Sequence, residues 1–106
     1  MNTVLESIRD QPNFYFCNSP QQFTCLVSFL AGYESGYAVA KEGHSKPEEL
    51  IPYDFHKFVT EKFGRIFPAG GKGWQIFIRE NSSSEKEAFD LFFKLREEYD
   101  QKLQSK

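Results

Sequence analysis

The chain has 106 residues, with 12 phenylalanines, five tyrosines, one tryptophan and a formal net charge of −2. That length accommodates one domain, 1–106, whose core can be built from rings without metal or disulfide. The charge balance argues against broad nucleic-acid affinity, which needs clustered Lys and Arg, and nowhere do about eighteen apolar residues run together as a membrane span requires.

The opening segment, MNTVLESIRD, interrupts its apolar residues with charges and does not read as a signal peptide, so a soluble, cytoplasmic protein is expected. Thr3 with Glu6 forms a capping-box pattern, and Val4, Leu5 and Ile8 make a short stripe. A two-turn helix over 3–10 follows, stopped by Gln11-Pro12. Asn13 to Asn18 is apolar between turn formers and reads as a buried extended loop or a short strand. Cys17 and Cys25 lack the spacing of a zinc or redox motif and are expected to be free thiols.

Ser19-Pro20 signals a second helix, with serine as cap, proline at the first helical position and Gln22 closing the box. Phe23, Leu26, Val27, Leu30, Tyr33 and Tyr37 keep helical spacing to Ala40. Gly32 and Gly36 on one side of it suggest close packing against a neighbouring helix, or else a shallow groove flanked by Tyr33 and Tyr37. A polar, turn-rich connection spans 42–52. Phe55, Phe58, Val59 and Phe63 then mark a short helix with Asp54 in its first turn, Gly64 as a left-handed stop and a Glu61–Arg65 pair one turn apart.

The Gly-Gly-Lys-Gly of 70–73 is not a phosphate loop, because no Ser or Thr follows the lysine to meet magnesium. Trp74 to Arg79 alternates like a strand, but a lone strand has nothing to pair with. A helical turn or two with Trp74, Phe77 and Ile78 turned inward is the better fit, a short extended segment at 74–79 remaining the alternative. The plainest element is the last. Ala88, Phe92, Leu95, Tyr99 and Leu103, with Phe89 and Phe93 beside them, lie on one helical face, and either Ser82–Glu85 or Ser84–Glu87 can form a capping box, with the start expected near Ser84. The expected fold is all-α, a small bundle of three main helices plus a short N-terminal one.

No residue pattern announces chemistry. His44 and His56 stand apart from any triad spacing, Glu48-Glu49 and Glu97-Glu98 sit in charged surroundings, and Glu-x-x-His is absent, so a non-enzyme without metal or cofactor is expected. From Glu80 to Asp100 there are seven acidic and three basic residues, a negative surface able to meet a basic partner.

The residues Phe55-His56-x-x-Val59-x-x-Lys62-Phe63-Gly64, then Gly73-Trp74 and Ile78, then Glu87-Ala88-Phe89-x-x-Phe92-Phe93-x-Leu95 resemble a group of small, mostly uncharacterised bacterial proteins. Arg9-x-x-Pro12-x-x-Tyr15 is a looser match. Some proteins of this type are immunity partners encoded beside toxins of contact-dependent growth inhibition and other polymorphic toxin systems. The resemblance implies a protein that binds and blocks a toxin domain, a nuclease with a basic cleft being the natural target of an acidic face. The expected contacts are Glu97, Glu98 and Asp100 on the last helix and Glu48 and Glu49 in the loop, with Tyr33 and Tyr37 as anchors, in a monomer or weak dimer that binds neither nucleic acid nor membrane. A regulatory or scaffold module is the runner-up, and a hydrolase using His56 the third reading.

Overall fold

The computed structural model describes residues 3–40, 50–68 and 73–104, without the side chains of 37–40. These residues form six α-helices and no strand: α1 (Thr3–Asp10), α2 (Pro12–Phe16), α3 (Gln22–Ala40), α4 (Tyr53–Lys62), α5 (Trp74–Glu80) and α6 (Glu85–Gln104).

One helix departs from the pattern expected of the sequence, and another decides between the two readings of 74–79. Residues 13–18 are neither strand nor buried loop, because Pro12 supplies the preset φ of a first helical turn and α2 runs to Phe16. Cys17 and Asn18 end it in the left-handed region, at φ of 50° and 57°. The 74–79 segment is helical, and Ile76 shows why the strand period fails there. Alternation would bury it with Trp74 and Ile78, yet it is 36% exposed while Trp74, Phe77 and Ile78 are buried.

α6 packs on α3, α4 and α5, and rings fill the space between them. Phe55 is fully buried and meets Trp74 at 6.0 Å, Phe92 at 5.9 Å and Tyr99 at 5.5 Å between centroids, all edge to face. Trp74 continues the cluster to Phe23 on α3. Ala88, Phe89, Phe92, Phe93, Leu95 and Tyr99 are buried as the helical spacing requires, whereas Leu103 is 51% exposed because the core ends one turn earlier.

The start of α6 uses one of the two expected capping boxes in altered form. Ser84 Oγ accepts from the Glu87 amide, while Glu87 reaches back to the amide and hydroxyl of Ser83. Ser82 donates instead to the Ile78 carbonyl. Glu85 is released to a different task, since its Oε1 accepts from the Thr24 amide at 2.9 Å in the first turn of α3. Arg79 completes the junction, donating to Glu85 Oε2 at 2.8 Å and Thr24 Oγ1 at 2.9 Å with its guanidinium over the Phe23 ring. The expected Ser19-Pro20 start is displaced accordingly: Ser19 Oγ accepts from the Gln21 amide, α3 begins at Gln22, and the Gln22 side chain turns to Asn13 instead of closing a box.

α4 ends as its sequence suggests. Gly64 sits at φ 74°, with its amide donating to Glu61 and the Arg65 amide to Thr60, the paired bonds of a Schellman turn. Arg65 has therefore left the helix, and no i, i+4 register with Glu61 exists. Gly32 and Gly36 do not mediate a close helix contact among the described residues: both are exposed, with no described atom within 4 Å of where a Cβ would sit.

Two measurements follow from these features. Alanine at Gly32 or Gly36 is expected to raise stability by about 0.5–1 kcal/mol each, since only the backbone freedom of glycine is removed; a lower melting temperature in either variant would show that the site is packed after all. Burial opposes ionisation of Glu85, but the Thr24 and Arg79 bonds outweigh it and hold its pKa below the ordinary 4.5. A carboxyl depressed in the folded state stabilises fully above its unfolded pKa and ceases to do so as pH falls through the folded one. Glu85→Gln is thus expected to cost about 1–2 kcal/mol at neutral pH, with the gap from the unsubstituted chain closing below pH 4.5 in urea titrations. A gap that stays constant down to acid pH would mean the carboxylate charge plays no part.

Candidate functional site

The acids expected to face a partner are held in different ways. Glu97 is exposed and accepts from Arg9 of α1 at 2.9 Å. Glu98 lies 3.0 Å from the Lys62 ammonium at the end of α4. Asp100 is mostly buried, 3.4 Å from Nε of Arg96. Glu48 and Glu49 fall outside the described residues. So does the side chain of Tyr37, while Tyr33 is half-buried, packed partly on the core with its ring 6.4 Å from Phe29.

Asp100 belongs to a structural cluster. Arg96 is 6% exposed, donates to the Leu50 carbonyl at 2.8 Å and lies over the Phe55 and Tyr99 rings. Its Nε faces Asp100 as a contact of charge, without an aligned hydrogen bond. A buried guanidinium needs such compensation, and here it ties the segment entering α4 to α6. Asp100 is thereby committed to the interior, whereas Glu97 remains available at the surface.

Glu97 brings a second group of acids into view. Arg9 donates through Nε to Asp10 and through Nη1 to Glu97, and Glu6 adds its field from the preceding turn of α1. Three carboxylates thus surround one guanidinium. Beside them Phe14 is 76% and Tyr15 38% exposed, their rings edge to face at 5.3 Å. Glu6, Asp10, Phe14 and Tyr15 border a cleft of about 280 Å³ between α1 and α2. The sequence reading missed this surface because it buried the 13–18 segment; the signal that could have found it is Pro12, which starts a helix too short to hide three consecutive rings.

A second depression of about 200 Å³ lies between α4 and α6, walled by Phe58, Tyr99 and Leu103 with Lys57, Lys102, Asp54 and Glu61 at its edge. Its charges balance. Tyr53 at 69% and Ile66 at 87% add exposed apolar surface near α4, where the Phe67 ring meets Tyr53.

His56 is half-buried, and desolvation holds its pKa below the ordinary value against the opposing field of Glu34. Its ring neighbour is Tyr53 at 6.4 Å, and among the described residues no Ser, Cys or carboxylate hydrogen-bonds to it. Among the same residues no three His, Cys, Asp or Glu side chains converge as a metal site, and both cysteines are free thiols. No described helix is long and apolar enough to cross a membrane.

No family model, curated protein or solved structure matches the chain.

The contrast between the two acids is measurable. Arg96→Ala is expected to cost about 3 kcal/mol, because it strips a buried carboxylate and a buried carbonyl of their cation. Glu97→Gln is expected to cost under about 1 kcal/mol, the worth of an exposed ion pair. Equal costs in urea unfolding would overturn the division between an interior and a surface acid.

Proposed function

We propose that this chain is a protein-binding domain of the immunity type, which meets a basic domain of its partner, a toxin nuclease in the leading case, and occludes its active site through an acidic face. The observation that carries the reading is the exposure of Phe14 beside Glu6, Asp10 and Glu97. Aromatic rings left in water contribute nothing to the core, and aromatic anchors flanked by charge are what interface centres use. Acids around them favour a basic partner and speed its approach. Glu98 extends the same charge along α6, with its Oε2 buried against the Lys62 ammonium. Asp100 contributes to this face through its field alone.

The runner-up, a regulatory or scaffold module, draws support from Tyr53 and Ile66, which expose apolar surface on other elements and suit a domain that holds more than one protein. A hydrolase built on His56 has no neighbouring nucleophile among the described residues to support it.

The test is capture and protection. The tagged chain is expected to retain a basic protein at low salt and release it near 0.5 M, where the Debye length falls to a few ångström (roughly 4 Å). That protein, expressed alone, should arrest growth, and co-expression of this chain should restore it. Asp10→Lys with Glu97→Lys is expected to abolish both binding and protection. Binding unaffected by charge reversal would remove this face, and a captured partner with no toxicity would transfer the assignment to the scaffold reading.

A further inference from the structure

We infer that the cleft between α1 and α2 is an arginine-binding subsite, seating one guanidinium from the partner protein. The inference rests on the basic-partner reading above and adds the residue type recognised and the place where it sits.

α2 supplies the first reason. It is a five-residue helix of sequence PNFYF with no fully buried residue, so its rings are held at the surface by their own backbone and by the Gln22–Asn13 hydrogen bond. Phe16 leans on the core, while Phe14 and Tyr15 stand free of it. Phe14 and Tyr15 meet edge to face at 5.3 Å, Tyr15 leans in turn on the Phe16 ring, and Phe14 is left as the most exposed ring of the three.

Charge supplies the second. Arg9 satisfies one oxygen of Asp10 and one of Glu97, leaving a net excess of two negative charges among Glu6, Asp10 and Glu97. Glu6 enters no ion pair among the described residues, and it lies on the cleft side of α1 with Ser7 and Asp10. An acid opposite an aromatic face is a cation site, and the planar guanidinium suits it better than an ammonium because it stacks on a ring and bonds a carboxylate in the same pose.

The cleft, about 280 Å³ and open to solvent, encloses no ligand completely and suits the end of a side chain entering from a larger partner. It holds the end of one long side chain, with the rest of the partner spreading over α1 and α6.

The experiment titrates the isolated, isotopically labelled chain with the peptide acetyl-Gly-Arg-Gly-amide, following amide shifts. Saturable shifts confined to residues 3–17 are expected, with a Kd in the millimolar range (order of 1–10 mM) for so small a contact. The citrulline peptide, isosteric but neutral, should produce no saturable shift, and the lysine peptide should bind more weakly. Glu6→Gln and Phe14→Leu are each expected to weaken binding roughly two- to fivefold, as an exposed cation–ring contact allows, while the amide spectrum elsewhere stays unchanged. Equal response to arginine and citrulline, shifts centred outside α1 and α2, or indifference to both substitutions would overturn the subsite. Because the titration uses no partner protein, its failure removes the subsite alone, and failure to capture a partner removes the immunity reading alone.

Discussion

Phe55 is the residue on which the helices agree. It reaches no solvent and meets rings of α5 and α6 edge to face, so α4 cannot shift without breaking contacts to both. Such pairs add about 0.5–1.5 kcal/mol each beyond the burial of their area, and they fix direction as well as distance. A core of interlocking rings is less forgiving than one of aliphatic chains. It explains how helices as short as α4 and α5 hold their places, since neither has the length to be stable alone.

The same interior sets the limits of the surface. Arg96 is drawn inside by Phe55 and Tyr99, and its charge then dictates the position of Asp100. One turn away, Glu97 escapes that demand and pairs with Arg9 at the edge. Neighbouring acids on one helix thus belong to different worlds, one answering to stability and the other available to a partner. Reading all of 97–100 as a single acidic face overlooks that division.

Helix existence was largely legible in the sequence, and for physical reasons. The spacing of Ala88, Phe92, Leu95 and Tyr99 admits one face only, and Gly64 after Phe63 marks a left-handed stop that the φ of 74° bears out. The 13–18 segment was misread because apolar content was taken for burial. A five-residue helix has too little surface to turn three adjacent rings inward, and local sequence does not say which of them the fold leaves out. Gly32 and Gly36 misled in the opposite way, their spacing being that of a tight interface while the described neighbours keep clear of them. Of the site residues, Glu97 was read as exposed and is; the cleft partners Glu6, Asp10, Phe14 and Tyr15 come together only once α2 folds back on α1.

The Glu85–Thr24 bond joins groups 61 residues apart. During synthesis, Gln22–Ala40 leaves the ribosome before the carboxylate that closes its first turn has been made, and until then water must serve those amides in its place. Closure of the third helix's first turn is therefore coupled to arrival of the sixth. Such a non-local dependence slows assembly relative to a bundle whose helices cap themselves.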